Sequence, residues 1–323
     1  MKLKLKFFLL FGFMALLFSC NEQDATEKAV AKIPVDLDVI RFDQLFVRSK
    51  ADAIPDLKQK FPYLFPRQYA DSVWIARLTD TLQLEIYSEI EQRFGDFGEQ
   101  EQQLDLLFKH IKYYFPKYVL PKVVTIISDV QYDNRVVLTD SLLLVGLDNY
   151  LGREHRFYAG LPNYVAKNLD AKFLMSDIAS AFAKTINRYP RNRSFLSRMV
   201  YYGKELYIKE LLIPSNSEAQ KINYTEEEIE WANTNEEQIW RYFVERELLF
   251  STDSKLDRRF LDPAPFSKFQ LELDSESPGR LGRFIGWKIV KAFMERNPKI
   301  TLIELLDLPA DIIFKKSNYK PKK

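Results

Sequence analysis

Among 323 residues the chain has one cysteine, Cys20, and two histidines, His110 and His155. A single thiol excludes an internal disulfide and any metal site built from several cysteines, so the folded part must draw its stability from a buried core. Two histidines so far apart in sequence give no local metal or catalytic pair. His110 lies beside the apolar stripe of a predicted helix and reads as a structural residue. His155 sits in the charged run Arg153-Glu154-His155-Arg156, where neighbours point different ways and form no dyad. A run long enough to cross a membrane, roughly 20 apolar residues, is also lacking at the N-terminus. Phe7 to Phe18 covers only 12 positions, broken by Gly12. Charge of one sign is scarce too. The formal +2 includes Lys2, Lys4 and Lys6 and becomes about −1 without them, which leaves no positive field for nucleic acid.

What is present begins with those lysines. They precede the apolar run, after which Ser19-Cys20 meets polar Asn21-Glu22-Gln23-Asp24, the order of a cleaved export signal. Leu17-Phe18-Ser19-Cys20 resembles the lipobox of bacterial lipoproteins. That resemblance implies cleavage before Cys20 and acylation of its sulfur and amino group, by palmitate among other chains. Two acyl chains anchor a protein stably where one does not. The expected organisation is therefore a signal peptide over 1–19, a polar flexible spacer over 20–32 and a single domain over 33–323. Removing the signal leaves about 304 residues, enough for a substantial core.

Along the domain, Val35 to Phe42 alternates with period two and predicts a strand. Phe61-Pro62-Tyr63-Leu64-Phe65-Pro66 predicts an aromatic loop folded onto the core. Helical spacing runs over Ser72–Phe94 and Glu99–Phe115, with Leu104, Leu107, Phe108 and Ile111 on one side. Val123–Val130 and Arg135–Leu147 predict a β-hairpin turning at Gln131-Tyr132-Asp133-Asn134. Further helices are expected over Phe173–Tyr189 and Ser194–Ile208. Capping-box spacings occur at Thr225/Glu228, Thr234/Glu237 and Thr301/Glu304. The second predicts a helix through Phe250 with Ile239, Trp240, Phe243 and Val244 facing inward. Gly282 and Gly286 lie four apart on one helix and each cost about 1 kcal/mol relative to alanine, which predicts close packing against a neighbour. They are not a phosphate loop, since the lysine and hydroxyl of a Walker motif and the preceding strand are missing. Aromatics at 14% fit a large aromatic core or a glycan surface. The fold class expected is α+β, mostly helical with a small antiparallel sheet.

Several spaced blocks then carry a resemblance: Tyr202-Gly203-Lys204-Glu205-Leu206-Tyr207, Ile239-Trp240, Ala264-Pro265-Phe266, Ser277-Pro278-Gly279-Arg280, Gly286-Trp287, Ile289-Val290 and Tyr319-Lys320-Pro321. In this order the chain resembles the GldB family of gliding-motility lipoproteins of Bacteroidetes. The resemblance implies an envelope lipoprotein required for gliding, with gliding and type IX secretion proteins as partners. That family is in turn distantly similar to predicted zinc peptidases of the HExxH type. There Asp177 to Ala181 would occupy the place of the motif, and Tyr202-Gly203 would stand near the third, glutamate ligand. Histidine, glutamate and histidine are all missing from Asp177-Ile178-Ala179-Ser180-Ala181, and zinc hydrolysis needs them. The expectation is a zincin-like scaffold without the metal motif, a pseudoenzyme with no catalytic residue, metal or cofactor, whose Asp177 helix serves as core. A hydrolase using carboxylates and a glycan-binding lipoprotein are the alternatives. Asn21 after the cysteine, rather than aspartate, points to the outer membrane, facing the periplasm. Cys20→Ala is expected to leave an unlipidated, uncleaved precursor, read by its mass and its failure to take up labelled fatty acid.

Overall fold

The computed structural model describes residues 25–271 and 274–322, so Cys20 and the signal lie outside the described residues. Four short strands, β1 (Val39–Arg41), β2 (Lys122–Ile126), β3 (Val136–Leu138) and β4 (Leu142–Gly146), form one sheet in the order β1-β2-β4-β3. β1, β2 and β4 run parallel, and β3 pairs antiparallel with β4 at the edge. The sheet is therefore mixed, which corrects the antiparallel expectation. The hairpin expected across Gln131–Asn134 is also displaced. Thr139-Asp140-Ser141 breaks the second run, with Thr139 N–H donating to the Leu142 carbonyl at 2.8 Å, so the hairpin joins β3 to β4.

Strand alternation decides the layers. Val39, Val123 and Leu143 share a row of the register and face the main core, whereas Ile40, Val124 and Leu144 face a smaller one. Over that smaller face lie α2 (Phe42–Val47), α3 (Ile54–Lys60) and α4 (Asp71–Leu78). Phe61 and Phe65 of the proline-braced loop are buried there beside Phe42, as expected. Residues 25–30 are helical (α1), and Val30 is fully buried. This helix falls within the stretch 20–32 read as a spacer. Glu27 on α1 lies 3.1 Å from Nε2 of the buried His110.

The main core is helical. The first predicted helical stretch, Ser72–Phe94, breaks at Thr79-Asp80 into α4 and α5 (Thr81–Phe94), with Asp80 capping α5 by accepting from Gln83 N–H, and the second is α6 (Gly98–Tyr114). After the short α7 (Asn163–Ala166) come α8 (Leu174–Ile186) and α9 (Phe195–Leu212). Next are α10 (Glu218–Ile222), α11 (Glu226–Thr234), α12 (Glu236–Glu245) and α13 (Lys255–Phe260), and the chain closes with α14 (Leu281–Arg296), α15 (Leu302–Asp307) and α16 (Ala310–Ser317). The capping boxes at Thr225 and Thr301 form as read. The one at Thr234 does not: Thr234 ends α11, and α12 follows directly from Asn235 without a side-chain cap. On α12, Ile239 and Phe243 are buried and Trp240 packs against Phe314 and Tyr319, but Val244 is exposed.

α9 is the central helix, and α14 crosses it backbone to backbone. A Cβ on Gly286 would lie within 3.0 Å of the Met199 carbonyl, and one on Gly203 within 3.0 Å of the Gly286 carbonyl. Gly282 meets the Phe260 carbonyl of α13 in the same way. The paired glycines therefore do permit a close crossing. Among the described residues no helix is long and apolar enough to cross a membrane. Gly286→Ala is expected to lower unfolding free energy by about 3 kcal/mol or more. The surface control Ile303→Ala should change it by less than about 0.5 kcal/mol; urea unfolding followed by circular dichroism measures both.

Candidate functional site

α8 carries its core face on Leu174, Met175, Ile178, Ala179, Phe182 and Ala183, all buried. Its other face, Asp177, Ser180, Ala181 and Lys184, lines a cleft of about 310 Å³ opposite Tyr202, Glu205 and Lys209 of α9. Arg135 and Val136 at the start of β3, Asn223 after α10, and Arg280 and Arg283 at the start of α14 complete the walls. The expectation that the Asp177 helix is only core is thus half met, because one face opens on a cleft.

Asp177, in the first turn of α8, is the anchor of that cleft. Arg135 donates to it twice, from Nε at 2.7 Å and Nη2 at 3.1 Å. The Tyr150 hydroxyl donates at 2.9 Å and the Asn223 amide at 3.1 Å. Burial alone would push this carboxyl up, but the Arg135 guanidinium, its hydrogen bonds and the Lys209 charge outweigh that and hold it below the ordinary value. Tyr150, fully buried beside the same carboxylate, is pushed well above the usual phenol range.

Asn223 is the second hub. It adopts the left-handed conformation (φ 57°) that ends α10, and asparagine tolerates that region better than most residues. Its Oδ1 accepts from Lys209 Nζ at 3.4 Å, and its carbonyl accepts from Arg280 Nη2 at 2.7 Å. Arg280, with φ 64° at the N-cap of α14, also lies over the Tyr224 ring at 5.4 Å. Arg283 covers the Tyr202 ring at 3.8 Å and donates to the Leu261 carbonyl at 2.5 Å. Lys209 is only 1% exposed, and burial, reinforced by Arg280 and Lys184 against the pull of Glu205 and Asp177, pushes its ammonium down to about 8. Glu205 is buried with Oε2 lacking a hydrogen-bond partner.

The structure thus brings Asp177, Ala181 and Tyr202 together around one cleft, and Gly203 into the helix crossing beside it. Glu205 was the residue missed on α9. Its signal was the i, i+4 pair Glu205/Lys209 on a helix whose other residues read as core. Arg135, Asn223 and Arg280 had no sequence signal as site residues. The histidines lie elsewhere. His110 is fully buried, hydrogen-bonded through Nδ1 to the Leu106 carbonyl at 2.9 Å and through Nε2 to Glu27. His155 accepts from Phe157 N–H at 3.3 Å and faces Glu89, while Glu154 pairs with Arg153. Among the described residues no group of three or more histidine, cysteine, aspartate and glutamate side chains could hold a metal.

Removing the Asp177 carboxylate strands a largely buried guanidinium, so Asp177→Ala is expected to cost about 3 kcal/mol at pH 7. Because the folded carboxyl is depressed, its contribution is complete above the unfolded value of about 3.9 and is lost as pH falls through the folded value. The stability gap between the two proteins should therefore hold from neutrality to about pH 4 and narrow below it, as read by urea unfolding at several pH values.

A family model described as gliding motility protein GldB matches residues 23–321. No curated protein and no solved structure matches the chain. The match spans the described sheet, the α9–α14 crossing and every residue of the cleft, and it shows that this chain belongs to the gliding motility protein GldB family.

Proposed function

We propose that the chain is a non-catalytic component of the gliding and type IX secretion apparatus, tethered by lipid on Cys20 to the outer membrane, facing the periplasm, and working by binding protein partners. The observation that carries the non-catalytic reading is the state of Asp177. A carboxylate that accepts from Arg135, Tyr150 and Asn223 and is held ionised serves as a structural anchor, whereas a catalytic acid or base needs a value moved toward working pH. Asp177, Ile178 and Ala181 stand where a zinc peptidase would need its histidine, glutamate and histidine. Glu205 faces Asp177 and Ala181 from the next helix. This arrangement supports a zincin-like scaffold that has kept its groove without the ligands. The largest aromatics, Trp287, Tyr150, Tyr224 and Phe284 among them, are spent in the core, which favours protein partners over a glycan surface.

In-cell crosslinking of the lipidated chain, followed by purification and identification of attached proteins, tests the reading. Motility or secretion envelope proteins should be recovered in near-stoichiometric amounts. Recovery of the chain alone, or of cell-wall glycan, would overturn it.

A further inference from the structure

The cleft holds more positive charge than its own carboxylates neutralise. Arg135, Lys184, Lys209, Lys221, Arg280 and Arg283 line it, against Asp133, Asp177 and Glu205. Only Arg135 forms an ion pair there, with Asp177, among the described residues. The other basic groups that hydrogen-bond find neutral oxygens: Arg283 the Leu261 carbonyl, Lys221 the Pro214 carbonyl at 3.3 Å.

Lys209 is the most buried of these cations, and Arg280 lies half-buried across Asn223 from it. An ammonium has three protons to donate, yet Lys209 meets a single acceptor, Asn223 Oδ1, at the long distance of 3.4 Å. Arg280 donates once, to the backbone of the same residue, and adds only the face of Tyr224. The two charges repel each other across Asn223. A buried charge without a counter-ion is costly, and folds ordinarily pair it or replace it with an apolar group. Glu205 lies one helical turn before Lys209 but does not come within ion-pair distance of it, and its buried Oε2 remains free. Asp177 is already saturated by four donors. The cleft therefore contains two donors waiting for an anion and one acceptor waiting for a donor, in a space the size of a small molecule or the end of a chain.

We propose that this cleft binds a ligand that presents an oxyanion, carboxylate or phosphate, to Lys209 and Arg280 and a hydrogen-bond donor to Glu205. This deepens and rests on the reading of the chain as a binding component. An anion seated between Lys209 and Arg280 removes their mutual repulsion and restores full charge to an ammonium that burial has pushed down to about 8. Lys184, exposed on the rim, adds to the attraction without taking part in the core.

The test is calorimetric titration of the lipidated full chain in detergent with sodium phosphate and, separately, sodium succinate, each against sodium chloride at equal ionic strength. At least one oxyanion should bind saturably and chloride should not. Lys209→Met should weaken that binding by about tenfold or more, equivalent to about 1.4 kcal/mol, and raise the melting temperature, because it removes a poorly paired buried charge. Lys184→Glu should weaken binding several-fold with the melting temperature unchanged. Saturation by phosphate alone assigns a phosphorylated ligand, and by succinate alone a carboxylate; saturation by both assigns an unselective oxyanion site. Absence of saturable binding by either oxyanion overturns the proposal, as does unchanged affinity in folded Lys209→Met. Where Lys209→Met does not fold, unchanged affinity in Lys184→Glu overturns it. Either failure leaves the wider role to the crosslinking result, so the two readings fall separately.

Discussion

The steric limit at the crossing of α9 and α14 sets most of this structure. The helices touch where neither has a side chain, Gly203 on one and Gly286 on the other, with the Met199 carbonyl filling the space a Cβ would need. Two helical glycines each give up about 1 kcal/mol of propensity. In return the flanking residues Met199, Val200, Leu206, Ile285, Trp287 and Ile289 are all buried, and close contact multiplies small dispersion gains. The crossing also fixes where α14 begins. Gly282 sits against α13, and Arg280 and Arg283, on either side of it in sequence, are carried to the wall of the cleft. The charged wall and the packed core are thus two ends of one helix placement.

The cleft itself combines a settled half and an unsettled half. Asp177, Arg135 and Tyr150 lock the edge strand β3 to α8 with every carboxylate lone pair used. Lys209, Arg280 and Glu205, across the same space, have few partners or none. Stability alone would favour apolar residues at those three positions. Their presence fits a surface shaped for something other than the fold's own stability.

Elements whose determinants are local were readable from the sequence. Thr225/Glu228 and Thr301/Glu304 cap helices because the bonds lie within one turn, and Gly282/Gly286 announced a close approach. Thr234/Glu237 had the same spacing and failed, because Thr234 was already the last helical residue of α11. Strand pairing was misread for a different reason. A period-two pattern says which residues share a face but not which strand lies alongside, and β2 pairs with β1 from far upstream and with β4, the second arm of the β3–β4 hairpin. The cleft was the least legible part. Asp177 draws its partners from positions 135, 150 and 223, and no window of sequence contains them together.

The first described helix has a mechanical implication. α1 is fastened to the body by buried Val30 and by Glu27 against His110 of α6, and residue 25 follows Cys20 by only five positions. Five residues span at most about 18 Å. With Cys20 acylated as proposed, the lipid is therefore coupled to the folded body through a short leash, and α6 lies next in line behind α1. A pull along the membrane would load that contact early, with little slack to absorb it, and the Glu27–His110 contact would be among the first to bear the strain.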